Sequence, residues 1–75
     1  MIDLYVLETC PYCRKVMDFA DQNNIKYRKF DVSDIENNNK LIQLGGRDQV
    51  PFMVDGEKIM YESDDIIKYL KKEEL

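Results

Sequence analysis

Seventy-five residues with 44% apolar side chains, five Tyr and three Phe suffice for one modest core and are too few for two. The formal charge of −4 comes from 15 acidic and 11 basic residues with no Lys/Arg cluster, which argues against nucleic acid as a partner. No apolar run approaches the roughly 20 residues of a membrane span. The start, Met1 to Leu7, has an early acid and no basic segment of a signal peptide, so a cytoplasmic protein without a membrane partner is expected.

Residues Ile2 to Leu7 are mostly apolar and bounded by polar residues, the pattern of a central, buried strand. A helix is predicted to open at Cys10-Pro11-Tyr12-Cys13, with Cys10 at its N-cap and a body running to about Asn24. Pro11 then stands at the first helical position, where a missing N–H costs nothing. Cys13, Val16, Met17 and Ala20 recur at three- and four-residue spacings and form its packing stripe. Ile25 to Val32 reads as a second strand that buries Tyr27, Phe30 and Val32.

Ser33-Asp34-Ile35-Glu36 has the form of a capping box with Ser33 at the cap, opening a helix that ends near Leu44 with Gly45-Gly46 as its C-cap. Phe52 to Val54 and Lys58 to Met60 are short strands joined by Asp55-Gly56, a hairpin signal. The last helix begins at Ser63. Asp64 and Asp65 in its first turn and Lys68, Lys71 and Lys72 toward its end match the helix dipole, with Ile66, Ile67 and Leu70 as its packing stripe. The order predicts one α/β domain over 1–75, with a parallel, right-handed first strand–helix–strand unit and an antiparallel hairpin. Together these make a mixed four-stranded sheet packed by helices.

The chain has two Cys and no His. A Cys pair three residues apart closes too small a loop to staple a fold, so stabilisation is a poor reason for it. A zinc site wants about four ligands and is not expected, nor is any other metal. A Cys–His hydrolase lacks its imidazole base. At a helix N-terminus, by contrast, free N–H groups and the macrodipole favour a thiolate. Cys10 is therefore the candidate nucleophile and Cys13, one turn inside, the resolving thiol of a redox-active pair. Arg14 and Lys15 add positive charge nearby and Glu8 opposes it.

Glu8-Thr9-Cys10-Pro11-Tyr12-Cys13 resembles the glutaredoxin active site, whose hallmark is Cys-Pro-Tyr-Cys. The resemblance spans essentially the whole chain and implies the thioredoxin-like (glutaredoxin) fold and dithiol oxidoreductase chemistry with glutathione as co-substrate. Gly46 to Pro51 resembles the segment before the family's cis-proline. It implies a cis Val50–Pro51 bond, with the Val50 backbone pairing with the cysteinyl part of the substrate; on its own, Pro51 reads equally as a trans proline opening an edge strand. Ser63-Asp64 is similar to the pair that holds the γ-glutamyl end of glutathione, and it also reads simply as a helix cap with a dipole-favoured acid. Tyr12 covers the sulfur, lines the groove, or is merely an exposed aromatic.

Two residues depart from the family pattern. Leu7 stands where many glutaredoxins have Lys, a loss that Arg47, Gln43 or Arg14 could make good. Tyr61-Glu62 stands in place of Gly-Gly, and Tyr61-Glu62-Ser63 instead resembles the N-terminal domain of glutathione transferases, where Glu and Ser contact the γ-glutamyl group. The expected function is a monomeric, glutathione-linked reductase of protein disulfides or glutathione mixed disulfides. The rivals are a thioredoxin-reductase-dependent redoxin serving ribonucleotide reductase and, from another class, a dimeric [2Fe–2S] carrier ligated by Cys10 and glutathione. A glutathione transferase is not expected, since that family's helical second domain has no counterpart in these residues.

Overall fold

In the computed structural model, which describes residues 1–75, the chain runs β1 (Ile2–Val6), α1 (Pro11–Gln22), β2 (Tyr27–Asp31), α2 (Ile35–Gly45), β3 (Phe52–Asp55), β4 (Lys58–Met60) and α3 (Ser63–Glu74). The four strands form one sheet in the order β2-β1-β3-β4. β1 pairs in parallel with β2, Ile2 opposite Tyr27, and antiparallel with β3, Tyr5 opposite Phe52. β3 and β4 form the antiparallel hairpin, with Asp55 opposite Lys58. The turn is therefore Gly56-Glu57, one residue later than the sequence pattern suggests, and Gly56 takes the positive φ of 62° that it requires.

Alternation along β1 divides the interior in two. Ile2, Leu4 and Val6 face a layer made by α1 and α3, packing with Cys13, Val16, Met17, Ala20, Ile66 and Leu70. Tyr5 points the other way, into a smaller cluster with Leu41 of α2, Phe52 and Tyr61. Burying one such aliphatic side chain contributes roughly 1.5–3 kcal/mol. Thin cover by α2 is supplemented by a row of rings: Tyr5 stacks on Phe30 at 5.0 Å between centroids, Tyr5 meets Phe52 at 5.7 Å, and Phe52 meets Tyr61 at 4.6 Å.

Three local expectations are corrected. The cap of α2 is Asp34, not Ser33: the Asp34 carboxylate accepts the Glu36 N–H at 2.9 Å, and the Ser33 N–H donates to Asp31 instead. Glu36 thus falls at the second helical position and closes no reciprocal box. The cap of α3 is Glu62, with Ser63 as the first helical residue and buried. Tyr27, Phe30 and Val32 are half-buried rather than core, because β2 is an edge strand and is covered on each face only in part. No helix is long and apolar enough to cross a membrane.

Candidate active site

Cys10 caps α1 in extended conformation (φ −83°, ψ 120°), and Pro11 occupies the first helical position. The Cys10 N–H donates to the Leu7 carbonyl at 3.1 Å and its carbonyl accepts from Arg14 N–H at 3.0 Å, so the end of β1 and the first turn of α1 hold the residue from both sides. Neither sulfur is in a disulfide; Cys10 is half-buried and Cys13 is fully buried among the core residues of α1 and β1.

The two thiols sit in opposed electrostatic environments. Partial burial of Cys10 works against its charged form, but the Cys13 N–H, the Cys13 thiol and the Tyr12 N–H stabilise the thiolate and hold its pKa below the ordinary thiol value. Burial pushes Cys13 up to about 12; a hydrogen bond from the Leu7 backbone works the other way, and the Cys10 sulfur adds to the rise. The cations suspected from sequence are each paired with carboxylates. Arg14 is held by Glu8 at 3.6 Å and Asp18 at 3.4 Å, Lys15 by Asp64 at 2.7 Å, and Glu8 itself is shared with Lys29 at 2.6 Å.

A groove of about 630 Å³ is lined by Tyr12, Gln49, Val50, Pro51, Tyr61, Glu62, Ser63, Asp64 and Asp65. The Val50–Pro51 peptide bond is cis. Of the residues singled out in the sequence, Tyr12, Val50, Pro51, Tyr61, Glu62, Ser63 and Asp64 meet here, although three separate chain segments are needed to assemble them. Arg47 is not on the groove wall; its guanidinium lies 4.2 Å from the centre of the Tyr61 ring. Gln43 is exposed on α2 and lines nothing.

Sequence reasoning missed Gln49 and Asp65 as groove residues, and it missed the part Tyr61 plays. Gln49 donates to Glu62 at 3.1 Å, tying the loop before Pro51 to the start of α3. Tyr61 is buried, accepts the Arg47 N–H at 3.1 Å and donates to the Arg47 carbonyl at 3.0 Å. The one available signal was its aromatic character directly before the Glu62-Ser63 pair. No group of three or more Cys, Asp or Glu side chains is arranged to hold a metal ion.

The chain matches the family described as glutathione S-transferase, N-terminal domain, over residues 4–74. It is 38% identical over 53 residues to glutaredoxin 1 of Rickettsia prowazekii (strain Madrid E), a match covering 67% of this chain and 56% of that protein. The chain thus spans little more than half the length of the curated relatives it matches. Among solved structures it is similar to a glutathione S-transferase from the Antarctic clam Laternula elliptica, with a TM-score of 0.81 and 28% identity over 95% of this chain and 34% of that one. A mutant of a thioredoxin-like protein superposes with a TM-score of 0.82 at 27% identity, covering 96% of both chains.

Proposed function

The chain belongs to the glutathione S-transferase N-terminal domain family and has a thioredoxin-like α/β fold, and on that premise we propose that it is a glutathione-linked thiol–disulfide oxidoreductase, with Cys10 as nucleophile and Cys13 as resolving thiol. The observation that carries this reading is the opposition between the two sulfurs: one half-buried at a helix cap with a lowered pKa, the other one turn inside, buried and pushed up to about 12. The name of the Rickettsia relatives, glutaredoxin 1, supports it.

In the proposed sequence the Cys10 thiolate attacks one sulfur of a substrate disulfide. A Cys10–substrate disulfide forms, the substrate's own S–S bond breaks, and the other half leaves as a thiolate that takes up a proton. Cys13 is inert until then, since burial and the neighbouring Cys10 charge both keep it protonated. Forming the mixed disulfide removes that charge. Cys13 can then lose its proton and attack the Cys10 sulfur, releasing the second substrate thiol and leaving a Cys10–Cys13 disulfide. Two glutathiones return the pair to dithiol and leave as one oxidised glutathione, so two electrons pass in each half of the cycle.

The groove supports the glutathione-linked reading. Val50, next to cis-Pro51, offers backbone groups to the cysteinyl part of the substrate, in the manner of a short added strand. Tyr12 forms part of the wall. The N–H groups at the start of α3, with Ser63 and Asp64, suit the carboxylate and ammonium of a γ-glutamyl group. Arg47, set back over Tyr61, is the cation available to a substrate carboxylate in place of the one absent at Leu7. The 75 residues act as one such unit, as a monomer in the cytoplasm on glutathione and disulfide-bearing proteins.

The test is reduction of a glutathione mixed disulfide coupled to NADPH and glutathione reductase, for wild type, Cys10→Ser and Cys13→Ser. Turnover by wild type with none by Cys10→Ser is expected. Cys13→Ser keeps turnover of this substrate because a second glutathione thiolate can attack the Cys10–glutathione disulfide in place of Cys13, leaving as oxidised glutathione and freeing the Cys10 thiolate. A wild type inactive there but reduced by thioredoxin reductase would overturn the glutathione link and leave Ser63-Asp64 as no more than the first turn of a helix.

A further inference from the structure

The Lys15 side chain crosses from α1 to α3 and places Nζ 2.7 Å from Oδ1 of Asp64, a residue 49 positions away in sequence. Asp64 lies in the groove wall; Lys15 does not. Three carboxylates line this groove, those of Glu62, Asp64 and Asp65, and no Lys or Arg side chain does. Glu62 is met by the neutral Gln49 amide and Asp65 by no cation, so Asp64 is the groove acid whose charge the chain already answers with an ammonium of its own.

We propose that Lys15 is a specificity-determining placeholder, an internal ammonium that occupies Asp64 and weakens the groove's hold on thiols bearing an ammonium group. This rests on the reading of the groove as a γ-glutamyl thiol site. The hydrogen bond and charge of Lys15 hold the Asp64 carboxyl below the usual carboxylate range, so the acid is ionised and already paired when a ligand arrives. Oδ2 stays open, but an ammonium seated there lies within a few ångströms of Nζ and is repelled by it; the alternative is that Lys15 swings into water and gives up its partner. Both routes disfavour the cationic end of the ligand and leave its remaining contacts untouched. The effect is small because both side chains are exposed, where such pairs contribute little.

The test separates binding from turnover by using S-methylglutathione, which cannot exchange disulfides, and the same peptide with glutaryl in place of γ-glutamyl, which lacks the ammonium. Each is titrated by NMR onto wild type, Lys15→Gln and Lys15→Arg. Lys15→Gln is expected to bind S-methylglutathione roughly two- to five-fold more tightly and to bind the glutaryl peptide as wild type does, while Lys15→Arg behaves as wild type with both. Equal changes for the two peptides, no change, or no binding of S-methylglutathione to any of the three proteins overturns the proposal. Lys15-dependent binding without turnover of a glutathione mixed disulfide leaves the placeholder standing and removes the catalytic reading instead.

Discussion

The Tyr61 hydroxyl closes on the Arg47 backbone in both directions, accepting from its N–H at 3.1 Å and donating to its carbonyl at 3.0 Å. Both groups of one loop peptide pair are thereby satisfied by a single buried phenol, and the loop leading to Pro51 is tied to the strand-to-helix corner that starts α3. Tyr61→Phe keeps the ring and deletes both bonds. A loss of about 1–2 kcal/mol is expected, read as a lower urea midpoint. With it, KM for a glutathione mixed disulfide should rise while the alkylation rate of Cys10 stays unchanged.

Gly45 is needed for the space it leaves, not for its backbone angles. A Cβ there would land on the Tyr61 hydroxyl and 2.8 Å from Phe52 Cε1. Gly45→Ala should destabilise the protein by about 1–3 kcal/mol through overpacking, although alanine is the better helix former. Gly46, with φ 85° and open space around it, should tolerate Asn far better than Ala. Thermal unfolding of the three variants distinguishes the two kinds of glycine.

Capping of α2 offers a direct comparison of neighbouring residues. Asp34→Ala removes the acceptor of the Glu36 N–H and should cost about 1 kcal/mol. Ser33→Ala removes a hydroxyl that caps nothing and should fall within about 0.5 kcal/mol of wild type. Denaturant midpoints for the pair check which residue is the cap.

The opposed thiol environments predict how the protein responds to pH. Only Cys10 should be alkylated by iodoacetamide in the folded protein, with a rate that rises with pH and reaches half its plateau below the usual thiol value of about 8.5. Mass spectrometry of the labelled peptide identifies the residue.

Stability should fall on the alkaline side. Cys13, Tyr27 and Tyr69 all have folded-state pKa values raised to about 12, by burial first for Cys13 and Tyr27 and by the Asp55 hydrogen bond first for Tyr69. A raised value means that the folded state keeps its proton longer than the unfolded chain does. The contribution is therefore full below the unfolded values of about 8.5 and 10. It is lost as pH rises through about 12. Urea midpoints measured from pH 8 upward should decline in wild type and decline less in Tyr69→Phe.

Short-range pattern was enough to find the elements and the cysteine pair. The alternation of β1, the stripe Cys13-Val16-Met17-Ala20 and the Asp55-Gly56 hairpin depend on residues within a few positions of one another, and the structure has each of them with boundaries shifted by no more than two residues. The same holds for the placement of Cys10 at a helix cap, since Pro11 marks the helix start within the motif itself. What sequence could not decide was coverage and pairing. Tyr27, Phe30 and Val32 are apolar enough for a core, but β2 ends the sheet, so they are only half covered. Arg14 and Lys15 read as cations beside a thiolate, yet the fold gives each a carboxylate, one of them 49 residues away. Tyr61 as a clasp and Asp64 as the partner of Lys15 exist only once α1, the loop before Pro51 and α3 converge. Charge and hydrogen-bond partners act over a few ångströms in space, and a linear sequence carries no record of which distant residues come that close.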